Sequence, residues 1–110
     1  MNFKILLYNW EIRFEDGEDV NFTQLLERVI IFEKFTGKSK DYIEQIVKHE
    51  LTHALLNELG QSQNQFSNGR LEDTFDSEFV CEFVSIYGSY LNQLTKEVIK
   101  VIKKEKEWKS

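Results

Sequence analysis

The chain contains no proline, one cysteine, two histidines and no apolar run approaching the roughly 20 residues that span a membrane. Its one cysteine, Cys81, excludes an internal disulfide, so nothing in the sequence indicates an oxidising compartment. The apolar stretch Ile5-Leu6-Leu7-Tyr8 is followed by Asn9 and Glu11, which makes it too short for the core of a signal peptide. These absences predict a cytoplasmic protein that makes no membrane contact.

The charge balance is acidic, with 19 Asp and Glu against 14 Lys and Arg and a formal net charge of −5 at pH 7. Phosphate-binding surfaces need a surplus of Lys and Arg on one face, so we expect no nucleic-acid partner. A chain of 110 residues with 41% hydrophobic and 14% aromatic side chains supports one folded domain over residues 1–110.

Hydrophobic patterning predicts an α+β fold that begins with a small antiparallel or mixed sheet. Aromatic and aliphatic residues before Asp16-Gly17, a strong hairpin signal, predict strands at about 3–14 and 18–22. Residues 23–36 fit either a helix or a strand, because Asn21-x-x-Gln24 can cap a helix while Val29-Ile30-Ile31-Phe32 is typical of a buried strand. We expect a helical turn at 23–27 and a strand at 28–35.

The second half of the chain has helical periodicity. Ser39 can cap a helix over 41–59, and Gly60 ends its apolar pattern. A polar loop over 61–73 precedes a second helix at 76–87, in which Phe79, Val80, Phe83 and Val84 are the expected buried residues. A third amphipathic helix is expected beyond Gly88.

The segment His49-Glu50-Leu51-Thr52-His53 carries the clearest chemical signal. Two residues four apart on a helix differ by about 40° in direction and about 6 Å along the axis, so both imidazoles can bind one metal ion. Glu50 lies beside the first histidine, where its carboxylate can accept a proton from an activated water. The alternative is a pair of ordinary surface histidines.

A third metal ligand cannot be histidine, because the chain has only two. It must be a carboxylate, the thiol or a main-chain group, and Glu78 is the best carboxylate. Glu82, one turn later, can accept a hydrogen bond from a ligand imidazole; both acids could instead be solvated. Cys81 is expected to pack in the core. Asp73 and Asp76 are within reach of a ligand role, although either is more suited to capping the second helix.

His49-Glu50-x-x-His53 followed by Glu78-x-x-x-Glu82 resembles the gluzincin type of HExxH zinc metallopeptidase, in which a helical Glu is the third zinc ligand. The acid four residues later supports a ligand histidine; it is usually Asp in that family. The string Glu78-Phe-Val-Cys-Glu-Phe-Val-Ser and the opening Tyr8-Asn-Trp-Glu-Ile-Arg-Phe-Glu-Asp-Gly resemble small zincin-like proteins of bacteriophages and prophages. More distantly, the chain is similar to ImmA/IrrE-type peptidases of mobile elements, which act on a repressor.

These resemblances imply a minimal zincin-like domain, in a bacterial host cell and phage-encoded, whose mixed sheet covers the motif helix. Zn²⁺ would be bound by His49, His53 and Glu78, and Glu50 would be the general base of peptide hydrolysis. The substrate would be a peptide or protein, with a repressor-like protein as one candidate. The strand near Arg28 to Phe35 is expected to pair with substrate backbone.

Three tyrosines, Tyr42, Tyr87 and Tyr90, are alternatives for stabilising the oxyanion. The rival function is a protein-interaction module of a phage or prophage that has a structural or vestigial metal site. A metal-dependent hydrolase acting on a non-peptide bond is a third possibility.

Overall fold

The computed structural model describes residues 1–17, 20–60 and 77–104, and for residues 77–80 it describes the backbone alone. The elements in chain order are β1 (Asn2–Ile5), β2 (Tyr8–Glu15), β3 (Phe22–Gln24), β4 (Val29–Glu33), α1 (Lys40–Glu58) and α2 (Ser77–Lys104). This is the predicted α+β arrangement, with a four-stranded mixed sheet followed by helices.

The strands are arranged in the order β1-β2-β4-β3. β1 and β2 are antiparallel, β2 and β4 are parallel, and β4 and β3 are antiparallel. β4 is therefore an interior strand, and all five of its residues are buried. β3, only three residues long, lies at one edge of the sheet. The expectation that the strand near 28–35 receives substrate backbone is wrong, because β4 is paired on both sides.

The predicted hairpin at Asp16-Gly17 is also wrong. The neighbours of β2 are β1 and β4, so these two residues do not connect paired strands. The single strand expected over 3–14 is instead the β1–β2 hairpin, which turns at Leu6 and Leu7 with Leu6 at φ 56°. The Asp-Gly signal is local, whereas the parallel pairing of β2 with β4 brings Ile12 beside Ile30 and Phe14 beside Phe32.

The region between residues 18 and 35 is partly as predicted. Glu18 and Asp19 lie outside the described residues, and the strand expected at 18–22 lies instead at β3. The predicted helical turn at 23–27 is wrong: β3 is followed by a turn that ends at Arg28, which has φ 55°. The strand expected at 28–35 is confirmed as β4. Arg28 packs over the Tyr8 ring at 4.5 Å and pairs with Glu58 at 2.9 Å, which ties this turn to the end of α1.

α1 begins and ends as the sequence predicts. The Ser39 hydroxyl accepts a hydrogen bond from the Tyr42 main-chain N–H at 3.1 Å, and Gly60, at φ 84°, follows the last turn. Four of its buried residues recur at every fourth position, so they share one face of the helix, which packs in the core. They are Ile43, Val47, Leu51 and Leu55.

α2 is one continuous helix through Gly88, so the two helices expected here are wrong. A single glycine costs only about 1 kcal/mol in a helix interior, which the packing of the second half of α2 outweighs. That half buries Leu91, Leu94, Val98, Ile99 and Ile102 in the same core as Trp10, Ile30, Phe32 and Phe35.

The first half of α2 differs from the prediction in its burial. Val84 has 59% of its surface exposed, and Cys81 is exposed as well, so the expected core positions of both are wrong. Phe83 is partly buried against the core, while Phe79 and Val80 have no described side chains. The polar loop expected at 61–73 lies outside the described residues. No helix in the described part of the chain has the length and apolar character of a membrane span.

Candidate metal centre

α1 brings its two histidines together on the face that points away from the core. The Nε2 atoms of His49 and His53 are 3.2 Å apart, and the two rings meet edge to face at 82°. His49 is exposed and His53 is half-buried. The four-residue spacing alone accounts for this convergence, because it places consecutive side chains one above the other on a helix.

The separation of the two imidazole nitrogens fits a shared metal ion. Two bonds of about 2.0–2.1 Å to a tetrahedral Zn²⁺ hold their donor atoms about 3.3–3.4 Å apart, close to the distance between these nitrogens. The same distance permits a hydrogen bond from one imidazole to the other, with the tautomers deciding which is the donor. The donor type and geometry of His49 and His53 thus suit zinc.

Glu50, which belongs to α1, contacts the edge strand β3 with its side chain, and only 6% of its surface is exposed. The Thr23 hydroxyl is 2.7 Å from Oε1 of Glu50 and 3.2 Å from the Glu50 main-chain oxygen. The other carboxylate oxygen, Oε2, is 3.9 Å from Nε2 of His49. One oxygen of the carboxylate is thus held by the sheet, and the other is next to the histidine pair.

The protonation of His53 also suits metal binding. Partial burial lowers the pKa of His53 below its ordinary value, and the positive charge that His49 can carry acts in the same direction. The negative charge of Glu50 opposes both effects. At neutral pH His53 is therefore neutral, which is the form that offers a lone pair to a metal ion.

Two cavities open beside the histidine pair. One, of about 320 Å³, is lined by Phe22, Thr23, Leu25 and His53. The other, of about 500 Å³, is lined by Asn21, Gln45 and Ile46. Both cavities also reach Asn21, His49 and Glu50, so they adjoin each other beside the candidate base.

The structure brings together three of the predicted site residues, His49, Glu50 and His53, but does not decide the rest. Glu78 is in the first turn of α2, and its side chain lies outside the described residues. Glu82 is on the same helix with an exposed side chain, and no hydrogen bond among the described residues joins it to an imidazole. The ligand role of Glu78 and the supporting role of Glu82 stay predictions.

Two further acids were candidates for a ligand role. Both of them, Asp73 and Asp76, lie outside the described residues. Within residues 1–17, 20–60 and 81–104, no group of three or more His, Cys, Asp and Glu side chains is arranged to hold a metal ion. His49 and His53 are thus the only two ligands of the expected set that the described side chains supply.

None of the three tyrosines lines the two cavities beside His49 and His53. The Tyr42 hydroxyl donates to Oε1 of Glu33, and the Tyr90 hydroxyl accepts a hydrogen bond from the Leu6 main-chain N–H at 2.7 Å. Tyr87 packs against the Phe83 ring at 5.6 Å. The oxyanion role of these tyrosines stays a prediction.

Thr23 and Asn21 form the β3 side of the site, and neither was predicted as a site residue. Asn21 donates from Nδ2 to Oε1 of the buried Glu33 and accepts from the Glu33 main-chain N–H, both at 2.9 Å. No sequence signal points to either residue, because a threonine and an asparagine near a short edge strand are common. Their roles follow only from the pairing of β3 beside α1.

Comparison of the chain with protein-family models, curated proteins and solved structures found no match.

Proposed function

We propose that this protein is a zinc-dependent metallopeptidase with Glu50 as its general base. The observation that carries the proposal is the convergence of the His49 and His53 Nε2 atoms to 3.2 Å beside a buried carboxylate that is 3.9 Å from one of them. Glu78 is proposed as the third ligand on the strength of its spacing in the sequence.

Zn²⁺ bound by these residues would activate water and polarise the carbonyl of the scissile bond. Glu50 takes a proton at Oε2, the carboxylate oxygen that Thr23 does not hold, and then passes it to the leaving amine. A neutral His53 can serve as a ligand at physiological pH without first losing a proton, and its lowered pKa supports that role.

The edge strand β3 supports an extended peptide as the substrate. Among the described strands β3 pairs only with β4, so the backbone groups along its other side have no partner strand in the described sheet. An extended chain can form main-chain hydrogen bonds with such an edge. A peptide paired there would run past Glu50, since Thr23 in the middle of β3 contacts that carboxylate.

The test compares the wild type with Glu50→Gln on an unstructured protein substrate, with and without a chelator. Glutamine retains the shape of the side chain but cannot accept the proton, and removing a general base typically slows a reaction about 10²–10⁴-fold. Glu44→Gln is the matched control, because it removes the same charge from α1 at a position that is outside both cavities beside the histidines.

We expect zinc content and folding to be unchanged in both variants, with hydrolysis lost only in Glu50→Gln. Equal cleavage by Glu50→Gln and the wild type would reject Glu50 as the base. A zinc-loaded wild type that cleaves nothing, including repressor-like proteins, would reject the peptidase.

The alternative is a protein-interaction module whose metal site is structural or vestigial. Val84 and Ile86, which are 59% and 66% exposed, leave apolar surface on two sides of the first half of α2, and a partner protein bound around this part of the helix would cover it. The two proposals differ in the coordination of the metal: a catalytic site keeps one position for water, whereas a structural site is closed by four protein ligands.

A further inference from the structure

The Thr23 hydroxyl joins the edge strand to the candidate base, at 2.7 Å from Oε1 and 3.2 Å from the main-chain oxygen of Glu50. We propose that Thr23 is a positioning residue: its hydroxyl holds Oε1 of Glu50 so that the carboxylate acts as a proton acceptor and does not become a metal ligand. This inference rests on the proposed function, and it assigns a role to a residue outside the His-Glu-x-x-His segment.

The contact between Thr23 and Glu50 has the geometry that positioning requires. At 2.7 Å from Oγ1 to Oε1 it is a normal hydrogen bond from a hydroxyl to a carboxylate. The Glu50 side chain is 8% exposed, so water has little access to replace that donor. A glutamate side chain has three rotatable bonds, and this bond selects one of the orientations that they allow.

Holding Oε1 matters because the carboxylate is close enough to compete for the metal. Oε2 is 3.9 Å from Nε2 of His49, and carboxylate oxygens bind Zn²⁺ readily at about 2.0–2.2 Å. A carboxylate released from Thr23 would be free to move toward an ion shared by the two imidazoles. It would then occupy a coordination position and lose its capacity to accept a proton.

Thr23 itself is held in place from two directions. In the sheet it pairs with Ile30 of β4. Just before β3, the Asn21 amide makes two hydrogen bonds of 2.9 Å to Glu33, one to its carboxylate and one to its main-chain N–H. Glu33 is 1% exposed and also accepts a hydrogen bond from Tyr42. The hydroxyl of Thr23 therefore has a fixed position before any substrate arrives, as preorganised sites require.

The experiment compares Thr23→Val, which replaces the hydroxyl with a methyl group of similar size, with Thr23→Ser, which retains the hydroxyl. Thr95→Val is the matched control, since Thr95 is buried where Thr23 is partly buried, and the Thr95 hydroxyl bonds a main-chain oxygen of α2, that of Leu91, at 2.7 Å. Circular dichroism checks folding, and Thr23→Ala replaces Thr23→Val if the valine variant does not fold.

We expect Thr23→Val to lower kcat about 10–100-fold, the usual effect of losing a residue that orients a metal-site group. KM should change less than about twofold, because the main-chain groups of β3 that would pair with the substrate are unaltered, so the loss appears mainly in the chemical step. Thr23→Ser should recover most of kcat, and Thr95→Val should match the wild type.

A second measurement needs no activity: the visible absorption of the protein loaded with Co²⁺ in place of zinc. We expect the bands of Thr23→Val to differ from those of the wild type, because the released carboxylate binds the ion, while Thr23→Ser and Thr95→Val retain the wild-type spectrum. A Thr23→Val spectrum identical to that of the wild type overturns the positioning role. So does an equal loss of kcat in Thr23→Val and Thr23→Ser.

A protein that is not a peptidase would give results different from those of a protein in which Thr23 has no positioning role. If zinc-loaded wild type shows no hydrolysis that a chelator abolishes, the peptidase is rejected while the Co²⁺ spectra still decide whether Thr23 positions Glu50. A wild type that binds no Co²⁺ overturns the metal site and the positioning role together.

Discussion

The two helices contribute to the candidate metal centre in different ways. On α1, His49 and His53 converge because of helix geometry, and the opposite face of the same helix is packed on the sheet through Val47 and Leu51. The described part of the start of α2 has less support, since Cys81 and Val84 are exposed and Leu91 is the first buried residue among the described side chains of this helix. A local pair of ligands can thus be recognised from spacing, whereas a ligand on another helix depends on how the two helices pack.

The largest expected effect concerns the α1 half of the site. We expect about one equivalent of zinc per chain, and His53→Ala should remove it, because one imidazole and one carboxylate rarely retain zinc. Elemental analysis after dialysis measures the metal content. Glu78→Gln should weaken zinc binding as well if α2 supplies the third ligand.

Glu82→Gln is the matched variant for the α2 half, one turn beyond Glu78. If Glu82 supports a ligand histidine, zinc affinity should fall about 10–100-fold. An unchanged affinity would indicate that Glu82 is a solvated surface acid, in keeping with its exposure. Full zinc occupancy in His53→Ala would contradict the metal centre itself.

The prediction of intermediate size compares how strongly the two helices are packed. Leu51→Ala should lower the free energy of unfolding by about 2–5 kcal/mol, because the leucine is fully buried between α1 and the sheet. Val84→Ala should change it by less than about 0.5 kcal/mol, since Val84 is mostly exposed. Urea unfolding monitored by circular dichroism measures both. A large loss in Val84→Ala would show that the start of α2 is buried against another part of the protein.

The sequence predicted the fold class and α1 well, because each of those predictions rests on local chemistry. The Ser39 cap, the apolar spacing from Ile43 to Leu55 and the glycine after the last turn all favour the same helix. The buried strand at Val29–Glu33 was also predictable, because its β-branched and aromatic residues fit an interior strand.

The strand connections were not predictable, because they depend on pairing between distant segments. Asp16-Gly17 favours a tight turn, but β2 pairs with β4 in parallel, and β3 reaches the sheet edge after that turn. The same reason explains why Thr23 was missed. Its position relative to Glu50 is set by the β3–β4 pairing and the packing of β3 on α1, neither of which leaves a pattern in a three-residue strand.

The smallest expected effect is the titration of His53 in the metal-free protein. Partial burial lowers the pKa of His53, so NMR of the imidazole C–H signals should give a midpoint below about 6.5. The unfolded chain then binds this proton at a higher pH than the folded protein does. The contribution of His53 to stability is therefore fully present above about pH 6.5 and is lost as the pH falls through the lowered pKa.

Glu50→Gln sharpens this prediction, because it removes the negative charge that partly opposes the effect of burial. The midpoint of His53 should fall further in that variant, whereas Glu44→Gln, which removes an acid of α1 that lines neither cavity beside the histidines, should leave it unchanged. A midpoint above about 6.5 in the wild type would mean that the Glu50 charge outweighs burial. His53 would then carry a proton near neutral pH, and metal binding would have to displace it, which would make zinc affinity fall steeply below pH 7.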